Sequence, residues 1–179
     1  VVCWFLNTNA TRKSSAYLYD GSTAWRVCAA GDLDGDDVAD LFWQSAAGPV
    51  ACWFLNTNGA LKSATDISTT ASSWRVRGAG DMDGDGVADL VWQLPTGQTA
   101  CWLLRTNGSL KAARGIFAAA TAWQIRGVGD IDGDGFADLI WQSASGQVVC
   151  WFMNPDGTRR ATASVFAGST SWIIRAAGQ

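Results

Sequence analysis

The chain has 179 residues and a formal net charge of −3, with 16 acidic residues, 13 Lys plus Arg and no His. Every acid is Asp, and with neither His nor Glu this chain can build by itself no His-Glu zinc site, no Ser-His-Asp triad and no Cys-His dyad. Hydrophobic residues at 48% against 16% charged suit a folded core, no apolar run reaches the roughly 18 residues of a membrane helix, and the charge is too small and of the wrong sign for nucleic acid.

The first predicted element is a fragment of a larger unit. Val1-Val2-Cys3-Trp4-Phe5-Leu6 has neither a basic flank nor a cleavage site and is not a signal peptide. Its place is set by a period. Trp4, Trp53, Trp102 and Trp151 are 49 residues apart, and so are Trp25, Trp74, Trp123 and Trp172. Residues 50–98 and 99–147 agree at about 28 of 49 positions without a gap. A gapless copy of this length predicts one supersecondary unit repeated and stacked, and about 50 residues matches a four-stranded propeller blade. The expected fold is all-β: a β-propeller of antiparallel four-stranded blades with a 49-residue repeat. As one repeat domain over 1–179, it divides into strands three and four of a split blade (1–24), three complete blades (25–73, 74–122 and 123–171) and the first strand of a split blade (172–179).

Within the second blade, 74–80 reads as a strand ending in glycines, followed by an Asp-rich loop. A second strand is expected over 88–93, then a turn at Leu94-Pro95-Thr96-Gly97 and a third strand over 98–104. Thr106-Asn107-Gly108 predicts a hairpin turn, and a weaker fourth strand runs over 109–117. Strand three, with Cys101-Trp102-Leu103-Leu104, is apolar on both faces, as a sheet sandwiched between neighbouring sheets requires. The 11 Trp are expected to fill the wedges between blades, with sugar stacking as the functional alternative.

Cys3, Cys52, Cys101 and Cys150 share one repeat position, about 10 Å apart in stacked sheets, whereas a disulfide needs Cα atoms within about 7 Å. Cys28 and Cys52 would lie two strand spacings apart, again too far. Five free, mostly buried thiols are expected. Arg77, Arg126 and Arg175 recur on strand one and are expected to neutralise the loop carboxylates, with an anionic ligand as the alternative. Gln44, Gln93 and Gln142 each follow a Trp at the end of strand two, and suit a plain strand terminus or sugar recognition.

The Asp loops carry the strongest signal. Thirteen of the 16 Asp fall between Asp32 and Asp40, Asp81 and Asp89, and Asp130 and Asp138. Like charges this dense persist where something positive sits among them. Carboxylates at positions 1, 3, 5 and 9 of each loop, with the main-chain carbonyl of position 7, form an all-oxygen set suited to calcium. The ligand sets are Asp32, Asp34, Asp36, Val38 and Asp40; Asp81, Asp83, Asp85, Val87 and Asp89; and Asp130, Asp132, Asp134, Phe136 and Asp138. The bidentate Glu at position 12 of an EF-hand is missing, and strands flank the loop, so this is a β-flanked calcium loop. Asp37 stands where the other loops have Gly86 and Gly135, and a slightly weaker site is expected there.

Gly-Asp-X-Asp-Gly-Asp-Gly-X-Ala-Asp-Leu, between a Trp-led strand and a strand ending Trp-Gln, resembles the FG-GAP/VCBS repeat family over essentially the whole chain. The resemblance implies a β-propeller with Ca2+ between the first and second strands of each blade, here three sites. It also implies an extracellular setting, secreted or at the cell surface, as in integrin α-subunit heads and fungal propeller lectins. It implies no activity.

The expected function is a non-catalytic calcium-binding module that binds a glycan or an extracellular protein. Alternatives are a structural subunit of an extracellular filament or surface assembly, and a portion of a polysaccharide-active enzyme. Catalysis is disfavoured because nearly every Asp is committed to metal. The split blade admits a segment of a longer array or self-assembly by strand addition, both favoured over a four-bladed monomer closed by its own termini.

Overall fold

The computed structural model describes residues 2–18 and 24–175. β1 (Val2–Leu6) and β2 (Arg12–Tyr17) pair as a two-stranded sheet. Three four-stranded antiparallel meanders follow. The first comprises β3 (Trp25–Gly31), β4 (Asp40–Ser45), β5 (Val50–Leu55) and β6 (Leu61–Ser68). The second comprises β7 (Arg75–Gly80), β8 (Asp89–Gln93), β9 (Thr99–Leu104) and β10 (Leu110–Phe117). The third comprises β11 (Gln124–Gly129), β12 (Asp138–Gln142), β13 (Val148–Met153) and β14 (Arg159–Phe166). No helix occurs among the described residues, and the three sheets fit blades of a propeller-like fold.

The turns form where the sequence places them. Leu94 N donates to Gln98 O at 2.9 Å and Gly97 takes φ 104°. In the next hairpin only Gly108 is left-handed, with φ 80°. Asn107 acts through its side chain instead, accepting from Ser109 N at 3.0 Å.

The strands that open each sheet, β3, β7 and β11, pack side by side with β7 in the middle. Glycine allows this approach. A Cβ on Gly78 would come within 2.5 Å of Val128 Cγ2, and one on Gly80 within 2.8 Å of Ala137 Cβ.

The core is two wedges. Leu33, Phe42, Phe54, Leu90, Trp92 and Leu104 pack between the first and second sheets. Met82, Val91, Leu103, Ile125, Leu139 and Trp141 pack between the second and third. β8 is buried along its whole length, sending Leu90 and Trp92 into one wedge and Val91 into the other. β9 divides likewise, Leu104 one way and Cys101 and Leu103 the other, so the expected two-sided burial is present.

The tryptophans split by strand. Trp43, Trp92 and Trp141 are buried, and each packs tilted against a half-buried Trp of the next strand, with ring centroids 4.7, 4.7 and 4.6 Å apart (Trp53, Trp102 and Trp151). Trp4 and Trp172 are exposed. Cys52, Cys101 and Cys150 are buried free thiols and Cys28 is a half-buried one; nothing is described of the Cys3 side chain. Burial pushes the Cys28 thiol up to about 12 and the Cys101 and Cys150 thiols up to about 11, so they stay protonated and inert.

Sheets are also fastened to each other by polar groups. Gln44 Nε2 donates to Gly48 O and Trp74 O, both at 3.0 Å, and its Oε1 accepts from Val76 N at 3.0 Å. Gln93 repeats this with Gly97 O, Trp123 O and Ile125 N, and Gln142 reaches Trp172 O and Ile174 N. These buried glutamines are clamps between successive units, a role beyond the strand terminus or sugar contact expected of them. Asp32 O and Asp81 O add a second fastening, accepting from Ala88 N at 2.7 Å and Ala137 N at 2.6 Å.

β1 and β2 pair with one another, and residues 172–175 carry no strand assignment. Residues 176–179, the rest of the expected first strand of the split blade, lie outside the described residues.

Candidate metal centre

The three Asp loops join the first strand of each sheet to the second. The position-1 carboxylate holds the loop from inside. Asp32 Oδ1 accepts from Gly35 N at 2.8 Å and Asp36 N at 3.2 Å, while Oδ2 accepts from Asp37 N at 2.7 Å. Asp81 and Asp130 do the same in their loops. Amides from the curled loop, that of Gly135 first, hold the Asp130 carboxyl below the usual carboxylate range.

The curl needs left-handed residues at positions 4 and 6. Gly35, Gly84 and Gly133 take φ 77–79°, and Gly86 and Gly135 take 80° and 90°. Asp37 adopts φ 62° in the same place, so the first loop closes at the cost of a strained non-glycine residue. Asp37→Gly should stabilise the chain by up to about 1 kcal/mol in chelator. Denaturant unfolding checks this, and a destabilised variant contradicts it.

Positions 3 and 5 add further carboxylates, half-buried at Asp34 and Asp83 and exposed at Asp36 and Asp85. One oxygen each from Asp32, Asp34 and Asp36 lies within 4.8 Å of the others, and the same holds for Asp81, Asp83 and Asp85, and for Asp130, Asp132 and Asp138. Asp34 Oδ1 and Asp83 Oδ1 are buried without a hydrogen-bond donor. A buried anionic oxygen lacking a donor is costly, and a cation beside it removes the cost. The residues present therefore fit a bound metal ion, and each of the three groups has the donors to hold one. Val38, Val87 and Phe136 at position 7 donate their amides to Asp36, Asp85 and Asp134 at 3.0 Å.

Position 9 is deeper. Asp40, Asp89 and Asp138 are fully buried. Asp40 accepts from Leu33 N at 3.0 Å and Leu55 N at 2.9 Å, tying the loop to the third strand, and Asp89 and Asp138 repeat the pair. Burial pushes the Asp40 and Asp138 carboxyls up, and that of Asp89 up to about 7.

The loops also have cations of their own. Lys62 bridges Asp34 and Asp36 at 2.6 and 2.7 Å, Lys111 bridges Asp83 and Asp85 at 2.9 and 2.5 Å, and Arg160 bridges Asp132 and Asp134. The Lys62 ammonium holds the Asp36 carboxyl below the usual carboxylate range. Each cation is the extra residue of a β-bulge on the fourth strand: Leu61 faces Leu55 and Ser63 faces Phe54, leaving Lys62 between them. The same slip isolates Lys111 and Arg160. These residues, and not the strand-one arginines expected to do so, neutralise the loops; among the described residues Arg77 and Arg126 pair with no carboxylate. The 49-residue step through Lys13, Lys62, Lys111 and Arg160 was the available signal.

A model of the FG-GAP-like repeat matches residues 32–92 and 81–141. The chain belongs to the FG-GAP-like repeat family. FG-GAP-like repeats are typically extracellular modules, and the matched residues contain all three Asp loops. No curated protein matches the chain. Among solved structures, a protein of unknown function from Bacteroides caccae is similar with a TM-score of 0.47 and 11% identity, over 93% of this chain and 54% of its own. The chain thus spans about half the length of that protein.

Proposed function

We propose that this FG-GAP-like repeat chain is a calcium-stabilised, non-catalytic extracellular module that binds a glycan or an extracellular protein. The observation that carries the metal part is the donorless buried oxygen of Asp34 and of Asp83, each residue being a member of a carboxylate cluster of hard ligands. Asp32, Asp34 and Asp36 would hold the first ion, Asp81, Asp83 and Asp85 the second, and Asp130, Asp132 and Asp138 the third, with Asp134, Asp40, Asp89 and the carbonyls of Val38, Val87 and Phe136 completing the expected sets. A bound dication supplies the positive charge that fixes each loop between two strands.

Support for glycan binding comes from a cleft of about 380 Å³ between the first and second sheets. Trp74, Trp92 and Trp102 line it together with Ser68, Thr70 and Ser72. Flat rings beside hydroxyl groups suit a sugar, which presents an apolar face and a polar edge. A glycan array probed in calcium and in chelator tests the reading. Saturable, calcium-dependent binding lost in Trp102→Ala supports it. Ordered self-assembly without any ligand favours the structural-subunit alternative.

The bulge cations compete with the ion for the same carboxylates. Lys111→Met should tighten calcium binding at the second loop by up to about fivefold, as read by calorimetry. Weaker binding in this variant would show that Lys111 supports the ion instead.

A further inference from the structure

Arg77 and Arg126 occupy the same place in successive units, on the adjacent strands β7 and β11. Both sit where the pairing slips. Val76 faces Trp92 and Gly78 faces Val91, so Arg77 is the extra residue of a bulge. Ile125 faces Trp141 and Gly127 faces Ile140, which isolates Arg126 in the same way. A bulge re-aims the residue it carries, and the matching bulges set the two arginines at equivalent places on neighbouring strands. Gly78 against Val128 lets these strands approach to van der Waals contact.

Both arginines are half-buried, and the Nε of each is buried without a hydrogen-bond partner. Among the described residues no carboxylate offsets them. Burial pushes the Arg77 guanidinium down first, and the positive charges of Arg126 and Arg75 push it further. Two like charges, partly desolvated and lacking a counter-ion, are costly unless an anion joins them. The first sheet has Cys28 at this position, also on a bulge, while Arg175 repeats the arginine one unit further on.

We propose that Arg77 and Arg126 form an oxyanion-binding site on the adjacent strands β7 and β11, taking a carboxylate, sulfate or phosphate group. The Nε–H and one Nη–H of a guanidinium form a fork that matches two oxygens of such a group. The orphaned Nε atoms are the donors that this fork requires. The group arrives either as a free anion or as the acidic substituent of a glycan, and the chemistry of capture is the same. The site is separate from the Asp loops and stands whether or not calcium fills them.

The test is thermal unfolding and calorimetry of the whole chain at constant ionic strength. Sodium chloride is compared with sulfate, with inorganic phosphate and with an oligogalacturonate. The wild-type chain should bind at least one of these saturably. Arg77→Gln and Arg126→Gln should each weaken that binding at least tenfold, while Arg114→Gln leaves it unchanged. In chloride the two Gln variants should melt no lower than wild type, because repulsion is relieved. If a Gln variant does not fold, Arg77→Lys and Arg126→Lys keep the charge, remove the Nε–H fork and should still weaken binding several-fold. Binding of sulfate or phosphate identifies a free anion as sufficient; binding of the oligogalacturonate alone identifies the glycan acid. Equal stabilisation of wild type and the Arg77→Gln, Arg126→Gln double variant by every anion would show a general salt effect and overturn the proposal.

Discussion

Calcium added to the metal-free chain should raise its unfolding midpoint in a saturable way, with three ions bound per chain at the plateau. A ligand that binds only the folded state stabilises it by about 2.7 kcal/mol at a hundredfold excess over its Kd. For a chain of this size that corresponds to roughly 5–10 °C for each site. The physical source is local. Asp34 Oδ1 and Asp83 Oδ1 are buried anionic atoms without donors, and the unfolded chain hydrates them freely. Asp83→Asn should remove about a third of the calcium-dependent shift while changing the midpoint in chelator little. Magnesium should give a smaller shift, since it keeps several of its waters. Calorimetry counts the ions and differential scanning reads the midpoint. An identical midpoint in chelator and in millimolar calcium would refute the calcium reading.

The second large effect is expected at Gln93. It is 1% exposed and makes three hydrogen bonds to main-chain groups, to Gly97 O, Trp123 O and Ile125 N. Two of these belong to the next unit, so the side chain joins sheets as well as filling space. Gln93→Ala leaves the Ile125 amide and the Trp123 carbonyl without partners and opens a cavity. Each orphaned group costs about 1–3 kcal/mol, and the lost packing adds to that, for a total of about 3–5 kcal/mol. Gln147→Ala, at an exposed position, should stay within about 0.5 kcal/mol. Urea unfolding measures both. A Gln93→Ala loss as small as that of Gln147→Ala would mean that apolar wedges alone hold the units together.

The repeat, the strands, the turns and the Asp loops were legible because each is local or periodic. Gly97 and Gly108 mark turns by themselves, and Trp92 and Trp141 mark strand ends by recurrence. The three Asp groups stand together because their members lie within nine residues. What was not legible depends on register. Lys62 reaches Asp34 and Asp36 across 26–28 residues because one extra residue on the fourth strand turns it toward the loop. Arg77 sits on a similar slip on the first strand and, among the described residues, pairs with none of the carboxylates it was expected to neutralise. A bulge leaves no mark in an alternating pattern, since the extra residue resembles any other. The glutamine clamps were illegible for another reason: their partners are main-chain atoms 30 and 32 residues ahead, and a backbone carbonyl has no sequence signature.

Those clamps all point the same way along the chain. Gln44 grips the second sheet, Gln93 the third, and Gln142 the residues after it, while the amides of Ala88 and Ala137 donate to the loop carbonyl of the unit before. Hook and eye are therefore both encoded within one 49-residue stretch. Duplication or deletion of a whole stretch by unequal recombination leaves every joint intact, so the number of units can drift between descendants faster than the sequence of any unit. An inserted half-unit would strand a hook without its eye, and selection should keep the copy length constant even where side chains vary.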